Sequence, residues 1–220
     1  LLILPQLFLN ANSRLPSKLF SEAMRLMLIT NRVLAKGELE KTIQTACESG
    51  ARLVHLREKD LDAKPLFHLA QSLRKVTARY GAKLIINSRL DIALAVEADG
   101  LHLPENELPV HTVKRFFSSL VGRSVHSVEG AKEAEQSGAD YLVFGHIFET
   151  SSKAVAPRGL NALEDVCKAV SIPVYAVGGI TPERVPECLK AGAFGVAVMN
   201  AVMSASDVEK VVKAFLNVLK

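Results

Sequence analysis

The chain has 220 residues, of which 49% are hydrophobic and 23% charged, with a net charge of +4. That is enough apolar material for one sizeable core and too much for a disordered chain. Trp is absent, aromatics make up 5%, and no Lys/Arg run is interleaved with them; a nucleic-acid-binding face is therefore excluded, as is a spanning helix, because no apolar run approaches the roughly 20 residues a bilayer needs.

Leu1–Leu9 is largely apolar but has neither a basic segment before it nor a small-residue cleavage site after it. Residues 1–26 are expected to form an extension outside the fold, with one domain over residues 27–220. Within that domain one joint recurs. Ser49-Gly50-Ala51, Tyr80-Gly81-Ala82, Asp99-Gly100, Ser137-Gly138-Ala139 and Ala191-Gly192-Ala193 each end a helical pattern and lead at once into an apolar run. Glycine can take the left-handed conformation that closes a helix, so the repeat reads as helix, short turn, buried strand. Strands are predicted near Leu26–Thr30, Leu53–Arg57, Leu84–Asn87, Leu101–Leu103, Val121–Val125, Tyr141–Phe148, Val174–Val177 and Val196–Met199. Amphipathic helices between them include Glu38–Glu48, Ala63–Arg79 and Val128–Gln136. Eight strands alternating with helices predict a single parallel (β/α)8 barrel of the TIM type, with a doubly wound open sheet as the alternative. Cys47, Cys167 and Cys188 are scattered outside any CxxC spacing and read as buried thiols on helices, which implies a reducing, cytoplasmic setting.

In such a barrel the polar residues just past each strand converge on one mouth. Here they are Arg57 and Lys59 after strand two, Asn87 after strand three, and Ser124 with His126 at strand five. His146, Thr150, Ser152 and Lys153 follow strand six, Gly178-Gly179 strand seven, and Met199-Asn200 strand eight. Arg57, Lys59 and Lys153 can clamp an anion. The loops after strands seven and eight suit a phosphate, while an ordinary tight turn would also explain Gly178-Gly179. His126 can exchange a proton near neutral pH, or serve as a structural histidine. His146 and His55 sit inside apolar runs and could equally be core. Glu105 and Glu107 lie in a loop run that ordinarily faces water, and no Asp after strand three or four makes a Mg²⁺ pair.

Taken together in order and spacing, several fragments resemble the thiamine phosphate synthase superfamily. They are His55-Leu56-Arg57-Glu58-Lys59, Ile86-Asn87-Ser88-Arg89, Asp99-Gly100-Leu101-His102-Leu103, Gly122-Arg123-Ser124-Val125-His126, Gly145-His146-Ile147-Phe148-Glu149-Thr150 and Gly178-Gly179-Ile180-Thr181-Pro182. Departures within the resemblance point to its TenI-type branch, the thiazole tautomerases. Ser88 stands where the synthases carry a metal-binding Asp, Pro104-Glu105-Asn106-Glu107 replaces their Gly-Gln-x-Asp loop, and the strand-six turn has His146 in place of Pro. Arg57-Glu58-Lys59, by contrast, is kept as in the synthases. The resemblance implies an isomerase, a thiazole tautomerase of thiamine biosynthesis with His126 as its acid–base residue. It further implies a substrate site at Arg57, Lys59, Asn87, Ser124, His146, Thr150, Ser152 and Lys153, and a phosphate cradle at Gly178, Gly179, Met199 and Asn200. No metal or other cofactor is expected, the partner is a small phosphorylated thiazole with no nucleic acid or membrane, and a homodimer is left open. The alternatives are thiamine phosphate synthase, a Mg²⁺-dependent transferase, and a non-catalytic regulatory barrel.

Overall fold

The computed structural model describes residues 20–150 and 156–220. Its strands are β1 (Leu26–Ile29), β2 (Leu53–Leu56), β3 (Lys83–Asn87), β4 (Gly100–Leu103), β5 (Leu120–Val125), β6 (Tyr141–Gly145), β7 (Val174–Val177) and β8 (Gly195–Val198). Each is parallel to its neighbours in chain order, and β8 pairs with β1, so the sheet closes into the expected (β/α)8 barrel. The helices are α1 (Leu39–Glu48), α2 (Ala63–Arg79), α3 (Leu90–Ala95), α4 (Val110–Lys114), α5 (Val128–Gln136), α6 (Gly159–Ala169), α7 (Val185–Lys190), α8 (Asn200–Met203) and α9 (Val208–Val218). Their apolar stripes cover the outside of the barrel. On α2, for example, Leu66, Ala70, Leu73 and Thr77 recur at helical spacing and are buried. Cys47, Cys167 and Cys188 are buried free thiols on α1, α6 and α7.

Two local expectations are corrected. Of the five Gly joints, four have a left-handed glycine, with φ of 110° at Gly50 and 93° at Gly138, for example. The fifth does not: Gly100 opens β4, and a Cβ there would stand 2.5 Å from Ile85 Cδ1. The turn before it bends at Glu97, φ 50°. Strand six stops at Gly145 rather than Phe148. Ile147 and Phe148 donate instead to the carbonyls of Val177 and Gly178, and Ile147 packs into the core as part of a loop. Apolar character continued past the strand because the loop is itself buried.

Parallel strands with a one-residue climb per strand place inward side chains in layers of four from alternate strands. The registers give this order here. Low in the barrel lie Leu53, Gly100, Tyr141 and Gly195, then Met27, Ile85, Gly122 and Tyr175. Above them come His55, His102, Val143 and Ala197, and then Ile29, Asn87, Ser124 and Val177. The lower layers are solid because large and small residues alternate. Tyr141 is fully buried and fills the space left by Gly122, where a Cβ would stand 2.0 Å from its Cζ. Phe20 and Met24, from the stretch expected to lie outside the fold, are each 5% exposed and plug the base. Phe20 packs edge-on to Tyr141 and Phe194, and the Tyr175 hydroxyl donates to the Met24 carbonyl at 2.8 Å. The rest of that stretch, residues 1–19, lies outside the described residues.

The His55 and His102 rings meet at 4.7 Å between centroids, tilted by 54°. Burial, followed by the charge of Arg57, pushes His55 down to about 3, and burial likewise holds His102 well below the ordinary histidine value. Both imidazoles are therefore neutral in the folded state.

Two tests follow from this packing. Gly122→Ala forces a methyl into the Tyr141 ring and is expected to cost about 1–3 kcal/mol or more in urea unfolding; stability equal to wild type would contradict the layer packing. Each native histidine pKa lies below the unfolded value of about 6.5, so the unfolded chain takes up protons that the native one refuses. Their contribution to stability is complete above about pH 6.5 and is lost as the pH falls below it, at no more than about 1.4 kcal/mol per pH unit for each histidine. For His55 the loss continues down to its native value of about 3. The difference in unfolding free energy between pH 7 and pH 5 is expected to be smaller in His55→Gln than in wild type.

Candidate functional site

The upper two layers form the floor of a cavity of about 800 Å³ at the C-terminal ends of the strands. All eight of their side chains line it, from His55, His102, Val143 and Ala197 to Ile29, Asn87, Ser124 and Val177. Around the rim stand Arg57 and Lys59 past β2, Glu105 and His126 past β4 and β5, and the loops after β6, β7 and β8. The site residues expected at Arg57, Lys59, Asn87, Ser124, His126, His146, Thr150, Gly178, Gly179, Met199 and Asn200 all face this one space. Ser152 and Lys153 lie outside the described residues.

The extended segment after β2 divides its side chains between two jobs. Arg57 and Lys59 turn to the cavity. Glu58 between them is 6% exposed and accepts from Thr30 Oγ1 at 2.6 Å and from the Arg32 backbone N–H at 3.1 Å. Arg32 also pairs with it at 3.2 Å and forks onto Asp60 at 2.6 Å. Glu58 therefore locks the end of β1 to the end of β2 and is no metal ligand. Burial lowers the pKa of the Arg57 guanidinium, which nonetheless keeps its charge, so a desolvated cation stands beside the floor.

On the floor, His102 bridges two hydroxyls, with Nε2 2.8 Å from Ser124 Oγ and Nδ1 3.2 Å from the Tyr141 hydroxyl. His55 sits beside the Asn87 amide, which favours its charged form slightly, yet neither ring nitrogen has a hydrogen bond of normal geometry. At the rim, Glu105 is exposed, as expected of its loop, and is also paired. Its carboxylate takes His126 Nδ1 at 2.7 Å and the His126 backbone N–H at 3.2 Å. Arg123 ties the same loop through the carbonyls of Glu105 and Leu108. Sequence reasoning passed over His102 and Asn31 and set Glu105 aside as a loop residue, yet all three line the cavity. For His102 the signal was present in the inward parity of β4.

On the opposite wall, Gly178 and Gly179 have φ of 96° and 66°. A Cβ at Gly178 would stand 2.1 Å from His146 Cβ, and one at Gly179 would stand 2.4 Å from the Glu149 carbonyl oxygen. Close packing of the β6 loop is thus enough to require both glycines, which gives the tight-turn explanation a physical basis alongside anion binding. Met199 and Asn200 stand next to them, where α8 begins.

The divalent metal that the resemblance associates with synthases finds no matching donor set. Ser88 offers a hydroxyl that accepts from Asn87 Nδ2 at 2.9 Å, Glu105 is engaged by His126, and Glu107 is absent from the cavity lining. No group of three or more His, Cys, Asp or Glu suited to a metal occurs among the described residues. Among those residues, too, no helix is long and apolar enough to cross a membrane.

Residues 26–202 match the family described as thiamine monophosphate synthase. A putative thiamine-phosphate synthase 2 of Aquifex aeolicus is 48% identical over 178 residues, 80% of this chain and 96% of its own length. Thiamine-phosphate synthase 2 of Streptococcus pneumoniae is 43% identical over 203 residues, 90% of this chain and 96% of its own. The solved thiamine phosphate pyrophosphorylase of Pyrococcus furiosus superposes with a TM-score of 0.83 at 36% identity, covering 90% of this chain and 96% of that one. The two sequence relatives are named as thiamine-phosphate synthases, which are transferases, and they overturn the isomerase reading. The departures at Ser88, Pro104–Glu107 and His146 are confined to three loops, whereas likeness to the synthases runs through the whole barrel. By the match over residues 26–202 and by these relatives, the chain belongs to the thiamine monophosphate synthase family.

Proposed function

We propose that the protein is a thiamine-phosphate synthase, a transferase that joins a pyrimidine carried on pyrophosphate to a thiazole phosphate. The observation that carries this reading is the division of one 800 Å³ cavity into two anion-accepting sides across a polar floor. Arg57 and Lys59 stand on the β2 side, while Gly178, Gly179, Met199 and Asn200 stand on the β7–β8 side. Two substrates that each bear phosphate need such an arrangement, whereas a single small phosphate ester would need only one of the two.

In this reading the thiazole phosphate docks on the β7–β8 wall, with backbone N–H groups and the start of α8 toward its phosphate. His146 and Thr150, from the β6 loop, close the same side. Arg57 and Lys59 hold the pyrophosphate of the other substrate. The two rings meet over Asn87 and Ser124. The thiazole ring nitrogen forms a bond to the pyrimidine's methylene carbon as the carbon–oxygen bond to pyrophosphate breaks, and the electron pair of that bond leaves with the anion. The protein gains most by stabilising the charge that builds on the departing oxygen. Arg57 is suited to this because its partly desolvated guanidinium is already in place and acts in a low-dielectric setting.

The test is direct. Purified protein given both substrates and Mg²⁺ is expected to form thiamine phosphate and inorganic pyrophosphate in equal amounts. Arg57→Ala is expected to lower kcat/KM by roughly 10- to 100-fold, the worth of a charge-assisted contact, with circular dichroism unchanged. Folded wild-type protein that forms no thiamine phosphate would refute the assignment.

A further inference from the structure

We propose that Tyr141 and His102 form a polarised hydrogen-bond relay that fixes the Ser124 hydroxyl as a donor into the cavity. The Tyr141 hydroxyl is fully buried within the lower barrel, where Phe20 and Tyr175 pack edge-on to its ring. Its one hydrogen-bond partner among the described residues is His102 Nδ1 at 3.2 Å. The second imidazole nitrogen, Nε2, lies 2.8 Å from Ser124 Oγ. His102 is itself 2% exposed, and burial keeps it neutral, so it carries one donor and one acceptor.

That leaves two arrangements. In the first, the Tyr141 O–H donates to Nδ1, Nε2 carries the ring proton and donates to Ser124 Oγ, and the Ser124 O–H is left to point at the cavity it lines. In the second, Nδ1–H donates to the tyrosine oxygen and the tyrosine proton is buried with no oxygen or nitrogen among the described residues to accept it. A buried donor without a partner is the costlier state, so the first arrangement holds. Deep packing thereby sets the polarity of a group three layers higher. Tyr141 and His102 are positioning residues, and Ser124 selects a substrate atom with a lone pair. The relay's effect on substrate rests on the transferase reading of this cavity, whereas its tautomer does not.

Long-range ¹H–¹⁵N correlation spectra of the ligand-free, ¹⁵N-labelled protein test the tautomer. His102 is expected to show a protonated Nε2 and a pyridine-like Nδ1, and Tyr141→Phe is expected to admit the opposite tautomer. Calorimetric titration with thiamine phosphate then tests the consequence. Tyr141→Phe is expected to weaken binding by roughly 2- to 10-fold, the worth of one oriented hydrogen bond. In a Ser124→Ala background the same change is expected to have no further effect. A protonated Nδ1 in the wild type, or full additivity of the two substitutions, would overturn the relay. Wild-type protein that does not bind thiamine phosphate would instead count against the synthase reading, and the relay would then stand or fall on the His102 tautomer alone.

Discussion

Closure of the barrel in layers of four is the constraint on which the rest depends. An eight-stranded barrel leaves an interior just wide enough for side chains to fill, so every inward position must match its neighbours in volume. Tyr141 and Tyr175 take most of the lower space; Gly122 gives way to the Tyr141 ring, Gly100 to Ile85 and Leu120, and Gly195 to the Arg25 backbone. With Phe20 and Met24 sealing the base, the interior is solid below and open only above. The cavity is therefore a consequence of packing. It begins where the layers change from Tyr and Leu to His, Asn, Ser and Ala, and its depth is set by that change.

Placing polar groups on the last filled layers has an energetic cost that the fold meets in two ways. His102 is fully partnered between Ser124 and Tyr141. His55 lacks a hydrogen bond of normal geometry at either nitrogen and stays neutral, since a buried charge there would face both desolvation and Arg57. The positive charge is kept at the rim, on Arg57 and Lys59, where an anionic ligand can balance it. Glu58, one residue from Arg57, commits its carboxylate's hydrogen bonds to the β1–β2 tie, while its charge still favours the charged form of Arg57. Alternation along an extended segment thus separates scaffold from site within three consecutive residues.

Much of this was legible in the sequence because it depends on local rules. Helix-closing glycines at Gly50, Gly81, Gly138 and Gly192 announced the repeat, and the polar residues past each strand converge because all parallel strands end at one mouth. What was not legible depends on which face a residue presents and on long-range sterics. His55 looked like core between Val54 and Leu56, yet parity puts it on the cavity floor while its neighbours face the helices. Gly100 looked like a helix stop and is in fact a volume match for its neighbours inside the barrel. Glu105 is exposed as its loop suggested, but its pairing with His126 was hidden because that partner is 21 residues away in sequence.

The same distinction explains why a few loop departures misdirected the functional reading. Ser88, Glu107 and His146 sit in turns, where one side chain changes what a site can hold without altering the barrel beneath it. A hydroxyl at Ser88, and a carboxylate at Glu107 that does not line the cavity, remove a means of holding a cation; they create no proton-transfer machinery by themselves. His126 lines the mouth with its ring Nδ1 on one Glu105 oxygen and its backbone N–H on the other, a pairing that fixes both the loop and the orientation of the ring. What remains across the mouth is one cationic side and one glycine-lined side. On the transferase reading proposed above, those two sides would receive two phosphorylated substrates, with the loops tuning how firmly the leaving anion is held.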